Sequence, residues 1–399
     1  MVKSQKGKRV LIIVENLPLP FDRRVWLEAN TLKNAGYEVS IICPKMMEFT
    51  KSFEIINDIK IYRYSLFEAK SGLLHYAIEF IYCWIRTFIL TIKIANTDGI
   101  DIIHACNPPD TFFAIGFIFK LFGKKFVFDE HDLCPEVYLS KKKYFTEDIP
   151  YKILLMLEKM TYKTADIVLS MNESYKRTAI ERGGLKRDKV FIVRTGPDFD
   201  RLKEIPPIED LKKGKKYLVT YLGTMGEQDG VDYLLRSIQY IVKHKKITTI
   251  HYALIGSGPH HKELKKMSKD MGISEHVEFT GRIADDELIK YLNTADCCVC
   301  PDPKNPLNDV STMNKTMEYM ALGKPLVAFD LIETHFSAQD AALYAEPNDV
   351  IEFAEKIIEL LGDEKKRKKM GAFGKKRVKE VLAWEHTSKE LLRAYKSLK

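Results

Sequence analysis

The feature that most narrows the fold of this chain is a repeated alternation of short apolar strands and amphipathic helices, joined by brief loops. The apolar run Arg9–Val14 is followed by a loop and a helix-patterned stretch, Val25–Asn34. A break at Ala35-Gly36 then leads into a second run, Glu38–Cys43. The unit recurs with the strand Asp101–Ala105, a helix near Phe112–Phe122 stopped by Gly123, and the strand Lys125–Asp129. The helix Tyr151–Lys163, the strand Asp166–Ser170, the helix Glu173–Arg182 and the strand Lys189–Val193 continue the series. Alternation with short connections predicts parallel sheets covered by helices on both faces.

At 399 residues the chain is too long for one typical core, and with 45% hydrophobic residues it has ample material to bury. The texture changes at Thr195–Pro207 (TGPDFDRLKEIPP), where prolines replace periodicity, so the boundary is placed there: residues 1–198, then 199–380, then a charged terminal helix over 381–399. The second set runs from Tyr217 (YLVTYLG) through the helix Gly230–Lys243, the strand Thr249–Ile255, the helix His260–Met271 and the strand Val277–Phe279. A helix at Ala284–Leu292 then leads to the strand Cys297–Cys300. In doubly wound sheets ligands bind where loops leave the carboxyl ends of the strands.

The formal charge of +8 is spread thinly. It fits weak attraction to an anionic surface and argues against a dedicated nucleic-acid site. Cys297 and Cys300 have C-x-x-C spacing, but on a strand they point to opposite faces and cannot share a metal. A few charges lead directly into the first strand, so no signal peptide is expected. The apolar stretch Leu73–Ala95 is interrupted by Glu79, Arg86 and Lys93, which predicts a largely buried helix touching a bilayer at most, with no membrane span.

The segment Ser311–Asp330 (STMNKTMEYMALGKPLVAFD) reads as a loop, a helix capped by Ser311 or Thr312, a stop at Gly323 and a buried strand, Pro325–Phe329. Lys315 and Glu318 share a face of that helix. A helix N-terminus beside a lysine attracts phosphate, and a glutamate one turn deeper suits the paired hydroxyls of a ribose; an ordinary surface ion pair gives the same spacing.

Five loops at strand ends carry further candidates. Glu15–Arg24 holds Asp22, Arg23 and Arg24, suited to phosphate or an acidic acceptor, or simply solvated. Phe128–Glu136 (FDEHDLCPE) sets His131 among Asp129, Glu130 and Asp132, a surrounding that favours protonated imidazole; a structural histidine is the alternative. Leu222–Gly230 (LGTMGEQDG) is a glycine-rich turn whose backbone at Gly223 and Gly226 can approach a phosphate. Gly256-Ser257-Gly258-Pro259 is half a dinucleotide fingerprint or a plain tight turn. Thr280-Gly281-Arg282-Ile283 is placed to set backbone against a nucleobase, or is another turn. Downstream, Asp302 and Asp309 lie among prolines at spacings that form no recognised metal-ligand set.

With these segments in view, the chain resembles the retaining glycosyltransferases of family 4 over nearly its whole length. The resemblance is carried by GYEVSIICP, FDEHD, TADIVLSMNES, LIGSGP, VEFTGRI, KTMEYMALGKPLVAFD and the terminal WEH helix, and its flavour is that of surface-polysaccharide enzymes of the N-acetylfucosamine-transferring type. It implies an α/β protein of GT-B architecture, two doubly wound Rossmann-like domains facing across a cleft. The first domain would bind acceptor and the second the nucleotide sugar, with the terminal helix packing back toward the first. His131 matches the histidine between donor sugar and acceptor, with Asp22, Arg23, Arg24 and Asp132 on the acceptor side. Lys315 is the implied catalytic cation. Glu318 matches the second glutamate of a pair that holds ribose. The amides of Asn314, Thr316 and Met317, the loop at Gly223 and Thr224, and Arg194 fall beside the diphosphate, and Arg282 and Ile283 beside the base. Three departures stand out: Val310 replaces the first glutamate, with Asp309 adjacent; Thr224 and Asp229 replace the usual Arg and Lys; and Leu17–Asp22 replaces the N-terminal Gly-Gly turn.

The resemblance implies sugar transfer from a nucleotide-diphosphate donor, a UDP-sugar being favoured, to a glycan or lipid-linked acceptor with retention. It implies no cofactor and no metal, and a cytoplasmic location, peripheral on the membrane. Lys141–Lys143 with Tyr144 and Phe145, beside the Leu73–Ala95 helix, is the expected interfacial region. The missing cations also admit a nucleotide-sugar-binding subunit without turnover, and the architecture admits a nucleotide-sugar epimerase. An NAD enzyme is disfavoured because the fingerprint and its acidic residue are absent.

Overall fold

The computed structural model describes residues 7–66, 73–141, 148–199 and 201–398. The chain divides into two compact units: Met1–Thr195 with Glu385–Lys399, and Gly196–Trp384.

The first unit begins with β1 (Arg9–Ile13), α1 (Arg23–Asn34), β2 (Glu38–Lys45), β3 (Phe53–Ile56) and β4 (Ile59–Ser65). It continues through α2 (Leu73–Thr97), β5 (Ile102–Cys106), α3 (Phe113–Lys120), β6 (Lys125–Glu130), α4 (Cys134–Lys141), α5 (Ile149–Thr164), β7 (Ile167–Ser170), α6 (Glu173–Glu181) and β8 (Val190–Ile192). The strands pair in the order β3-β4-β2-β1-β5-β6-β7-β8, parallel except for β3. Leu11, Ile13, Ile103, Phe126, Phe128 and Val168 face one way into a core shared with α2, α3, α5 and α6. Alternate residues such as Val10 and Ile12 are buried on the other side, as a two-face-covered parallel sheet requires.

Two strands here were not expected from periodicity. β3 and β4 form a hairpin closed by Asn57 and Asp58, both at positive φ (51° and 59°), the mirror-image two-residue turn that such residues favour. The Leu73–Ala95 stretch is α2, with Cys83, Thr87, Thr91 and Ile94 buried. Among the described residues no helix is long and apolar enough to cross a membrane. Lys142, Lys143, Tyr144 and Phe145, part of the expected interfacial region, lie outside the described residues.

The second unit runs β9 (Tyr217–Leu222), α7 (Val231–Gln239), β10 (Ile250–Ile255), α8 (His261–Asp270), β11 (Val277–Gly281), α9 (Asp285–Thr294), β12 (Cys297–Cys300) and α10 (Asn314–Ala321). It then adds β13 (Leu326–Phe329), α11 (Ile332–Ala338), β14 (Ala342–Ala345), α12 (Val350–Gly362) and α13 (Glu364–Arg377). Its six strands are all parallel, in the order β11-β10-β9-β12-β13-β14. Side chains alternate between two core clusters: Cys297 and Val299 enter one, Cys298 and Cys300 the other. Cys297 and Cys300 therefore do face opposite ways.

The final helix, α14 (Trp384–Ser397), belongs to the first unit from Glu385 onward. Tyr395 is fully buried there, its hydroxyl 2.6 Å from His104 Nδ1, and Lys8 Nζ donates to the Leu398 carbonyl at 3.1 Å.

Candidate functional site

In the second unit two loops at strand carboxyl ends converge on Lys315. The first follows β9, where Gly223 adopts φ 156° and leads through Thr224 and Met225 to Gly226. The second follows β12 and enters α10. Lys315 stands in the first turn of that helix, its Nζ 2.7 Å from Asp302 Oδ1 and 4.7 Å from the centre of the Tyr221 ring. A Cβ added to Gly223 would lie 3.6 Å from the same Nζ, so the loop backbone passes beside the ammonium. Burial by itself would push that ammonium toward neutrality. Asp302 outweighs it, helped by Tyr221, Cys300 and Asp229, and the pKa is raised above its ordinary value. Lys315 is a largely enclosed cation, its side chain 9% exposed, held by a carboxylate.

The helix behind it is firmly set. Thr316 is fully buried with Oγ1 3.3 Å from Cys300 Sγ, Met317 and Met320 enter the core, and the Tyr319 hydroxyl accepts the Leu222 N–H at 2.7 Å. The first turn exposes Asn314; its Thr316 N–H is taken by the Met313 carbonyl at 3.1 Å, and the amides of Asn314 and Lys315 precede the helix's own hydrogen-bond ladder. The predicted cap is corrected. A short 3₁₀ turn at Asn308–Val310 leaves Ser311 too early in the chain, where its hydroxyl donates to the Leu307 carbonyl at 2.8 Å; Met313 precedes the helix without a side-chain cap.

Lys315 and Glu318 share a face without forming a pair. Glu318, half-buried, is bonded by the Arg201 guanidinium, which also reaches Asp285 at 3.3 Å. Arg201 was not among the sequence candidates. It lies 117 residues from Glu318 in an irregular segment, and no local pattern announces it.

The glycines after β10 brace the first loop. A Cβ on Gly256 would stand 1.8 Å from the Gly223 carbonyl, and one on Gly258 2.6 Å from the Met225 nitrogen. The Met225 N–H donates to the Ser257 carbonyl at 3.2 Å. Gly256-Ser257-Gly258 is thus the support on which the Gly223 loop rests. After β11, Arg282 is exposed and Ile283 packs against the core; Gly281, at φ 67°, makes the turn between strand and loop.

In the first unit the FDEHD segment ends β6 in a buried charge network. His131 Nε2 is 2.5 Å from Asp129 Oδ2, and its backbone N–H donates to Asn107 Oδ1 at 2.7 Å. Asp129 is fully buried. Burial opposes its ionisation, but Arg24 and the histidines win and hold its pKa well below the usual carboxylate range. Glu28, packed against the same group, is driven well up by burial and by the Asp129 charge.

Arg24 is a correction. An acceptor-side role needs an outward guanidinium, but Arg24 is 5% exposed, 2.5 Å from Asp129 Oδ1, and donates to the Val193 carbonyl at 2.5 Å. The cause is local. Asp22 caps α1 by accepting the Val25 N–H at 3.2 Å, so the first turn rotates Arg24 inward and leaves Arg23 exposed. Arg194 is likewise buried, within the first unit, whereas Asp132 is half-buried at the start of the loop after His131.

Comparison with known proteins decides what these loops belong to. Residues 216–363 match the family model described as glycosyl transferases group 1, and residues 22–201 match that of glycosyltransferase family 4. The chain is a GT-B glycosyltransferase of the family 4 type. An uncharacterised glycosyltransferase of Methanocaldococcus jannaschii is 23% identical over 92% of the chain and 91% of that protein. The GDP-mannose-dependent α-(1-6)-phosphatidylinositol monomannoside mannosyltransferase of Mycobacterium tuberculosis is 27% identical over 56% of the chain, and the match spans 60% of that protein. Sucrose-phosphate synthase of Thermosynechococcus elongatus superposes with a TM-score of 0.77 at 18% identity, covering 98% of this chain and 99% of that one, a likeness of fold.

The departures of this glycosyltransferase from its family pattern have structural content. Thr224 is exposed and its carbonyl accepts the Tyr221 hydroxyl at 2.6 Å. Asp229, where a lysine is usual, accepts the Gly226 N–H at 2.8 Å and so ties the loop to itself; burial raises its pKa. Asp309, beside Val310, accepts the Ile332 N–H at 3.1 Å. Among the described residues one trio has metal-ligand spacing, His104, Cys106 and Asp129, with ligand atoms within 4.8 Å. These donors do not fit a cation. The Arg24 guanidinium already holds the carboxylate, and burial keeps the Cys106 thiol protonated.

Proposed function

We propose that this glycosyltransferase moves a sugar from a nucleoside-diphosphate donor to a glycan or lipid-linked hydroxyl, with retention at the anomeric carbon. The observation that carries the reading is the meeting of the Gly223 backbone, the uncapped start of α10 and the Lys315 ammonium in one place. As the glycosidic bond breaks, negative charge grows on the departing diphosphate. Oriented amides and a fixed cation stabilise that charge without reorganising, and removing one such donor typically costs ~100-fold or more in rate. Asp302 keeps Lys315 charged and aimed, and protein groups take the part a metal ion takes elsewhere. Glu318 offers its carboxylate to the ribose hydroxyls. Same-face attack assisted by the departing phosphate accounts for retention without an enzymic nucleophile. His131, oriented by Asp129, is assigned to the sugar being transferred. The lipid-linked acceptor is supported by the relative that acts on a phosphatidylinositol mannoside; that relative's GDP-mannose dependence sets guanine against the favoured uracil as the donor base.

Thermal unfolding with UDP, GDP, dTDP and ADP tests the donor. A nucleotide at 100 times its dissociation constant stabilises by ~2.7 kcal/mol, a readable shift. Lys315→Ala and Glu318→Ala are expected to abolish or sharply reduce the shift and to lower donor kcat/KM by at least about tenfold. Full activity in both variants overturns the assignment. A second reading has a specific support: Asp302 and Asp229 place two carboxylates beside the one lysine, which suits a nucleotide-sugar-binding subunit without turnover. A nucleotide shift without transfer to any acceptor marks that outcome.

A further inference from the structure

Three crossover helices of the first unit, α2, α3 and α5, lie on the same face of its sheet. The connections β4 to β5, β5 to β6 and β6 to β7 all advance in one direction, and crossovers of one hand put their helices on one side. Their inner sides meet in a single core, through Cys83 and Ile94 of α2, Ile115 of α3 and Tyr162 of α5. Side chains tie the layer together: the Trp84 indole donates to the Thr111 carbonyl at 3.3 Å, and Lys120 Nζ to the Thr164 carbonyl at 2.7 Å.

The outer sides of these helices do not turn polar. On α2 the exposed residues Ile78, Ile81, Ile85, Ile89 and Ile92 recur every three or four positions and form one stripe. On α5 Ile149, Ile153, Met156 and Met160 do the same, and Phe117, Leu121 and Phe122 extend the surface at the end of α3. These apolar side chains are 41–73% exposed. Such contiguous rows on a water-facing layer mark an interaction surface.

The charges between the rows have one sign. Among the described residues of the three helices the exposed charged side chains are Arg86 and Lys93 on α2 and Lys152, Lys159 and Lys163 on α5. Glu79 is half-buried, and Glu158 is buried against Arg182. We propose that this face lies on a lipid surface with anionic headgroups, the isoleucine and methionine rows entering the acyl boundary and the basic side chains meeting the phosphates. A two-fold contact between copies of this chain would set these basic rows near their own images, which disfavours self-association. The proposal extends the lipid-linked acceptor reading, and it is tested without donor or acceptor, so its failure leaves sugar transfer standing.

The test is co-sedimentation of the full chain with phosphatidylcholine vesicles and with vesicles in which about a third of the lipid is phosphatidylglycerol. Two variants accompany it, Ile85→Glu/Ile89→Glu and Lys152→Glu/Lys159→Glu/Lys163→Glu, with folding checked by circular dichroism. Binding is expected to the anionic vesicles, to weaken as salt is raised, and to fall at least about tenfold in each variant. Three results overturn the proposal: no binding to either vesicle, binding that neither variant reduces, or a dimer of the full chain that both variants split.

Discussion

Arg24 is a buried cation and Lys315 a partly buried one, each held by an aspartate, and their surroundings separate their roles. Lys315 borders an exposed loop and a helix N-terminus, so its charge is available to a ligand; Arg24 is spent on Asp129, Glu28 and the Val193 carbonyl inside the first unit. Arg24→Ala leaves Asp129 buried without its counterion, a change that typically costs about 3–5 kcal/mol. It is expected to lower the melting temperature by roughly 10 °C, whereas Arg23→Ala, at an exposed position, leaves it unchanged; calorimetry of the two variants checks the contrast. Glu15 supplies a pH-dependent prediction. It is 7% exposed, and burial with the neighbouring Glu79 charge pushes its carboxyl up to about 8. Between the ordinary value of 4.5 and 8 the folded protein keeps a proton that the unfolded chain has released, so stability from this site falls as pH rises through that window and levels off above it. Glu15→Gln removes the titration. The variant is expected to match the wild type at pH 4 and to melt higher at pH 8, by an effect on the order of a few kcal/mol. Equal melting temperatures at pH 8 would count against it.

At the level of elements, α10 is positioned by α13 as much as by its own sheet. Gly371 of α13 meets the turn that ends α10, where a Cβ would stand 2.0 Å from the Gly323 carbonyl, and Gly323 itself needs φ 65°. Gly371→Ala must push the two helices apart. Overpacking of this kind typically costs about 1–3 kcal/mol, a fall of roughly 3–10 °C in melting temperature. Because α10 carries Lys315 and Glu318, nucleotide affinity is expected to fall with it; unchanged affinity would separate packing from the site. Most strand cores and helices were legible because apolar periodicity reports burial directly: Cys297–Cys300 matches its predicted bounds, and the remaining ends fall within a few residues. The β3–β4 hairpin was missed although Asn57-Asp58 is a recognisable turn pair, because β3 is half-exposed and the buried β4 (IKIYRYS) interrupts its apolar residues with Lys60 and Arg63.

At the scale of the whole molecule, the chain returns to its first unit only at the end. α14 buries Leu391, Ala394 and Tyr395, and the Tyr395 hydroxyl meets the His104 imidazole, whose pKa burial lowers. Removing Glu385–Lys399 is expected to lower the unfolding transition of the first unit by roughly 10 °C or more, while the transition that shifts with nucleoside diphosphate, that of the second unit, stays in place. A joint shift of both transitions in calorimetry would contradict this. The sequence by itself determined the doubly wound architecture, the irregular segment between the sheets and the Lys315–Glu318 helix, because hydrophobic period and local turn chemistry are properties of neighbouring residues. The tertiary structure alone decided which partner each charge takes. Arg201 reaches Glu318 from 117 positions away, Asp302 rather than Glu318 holds Lys315, and Arg24 turns inward to Asp129. Ion pairs inside a protein are set by which strand ends and helix turns the sheet brings together, and sequence spacing carries no record of that.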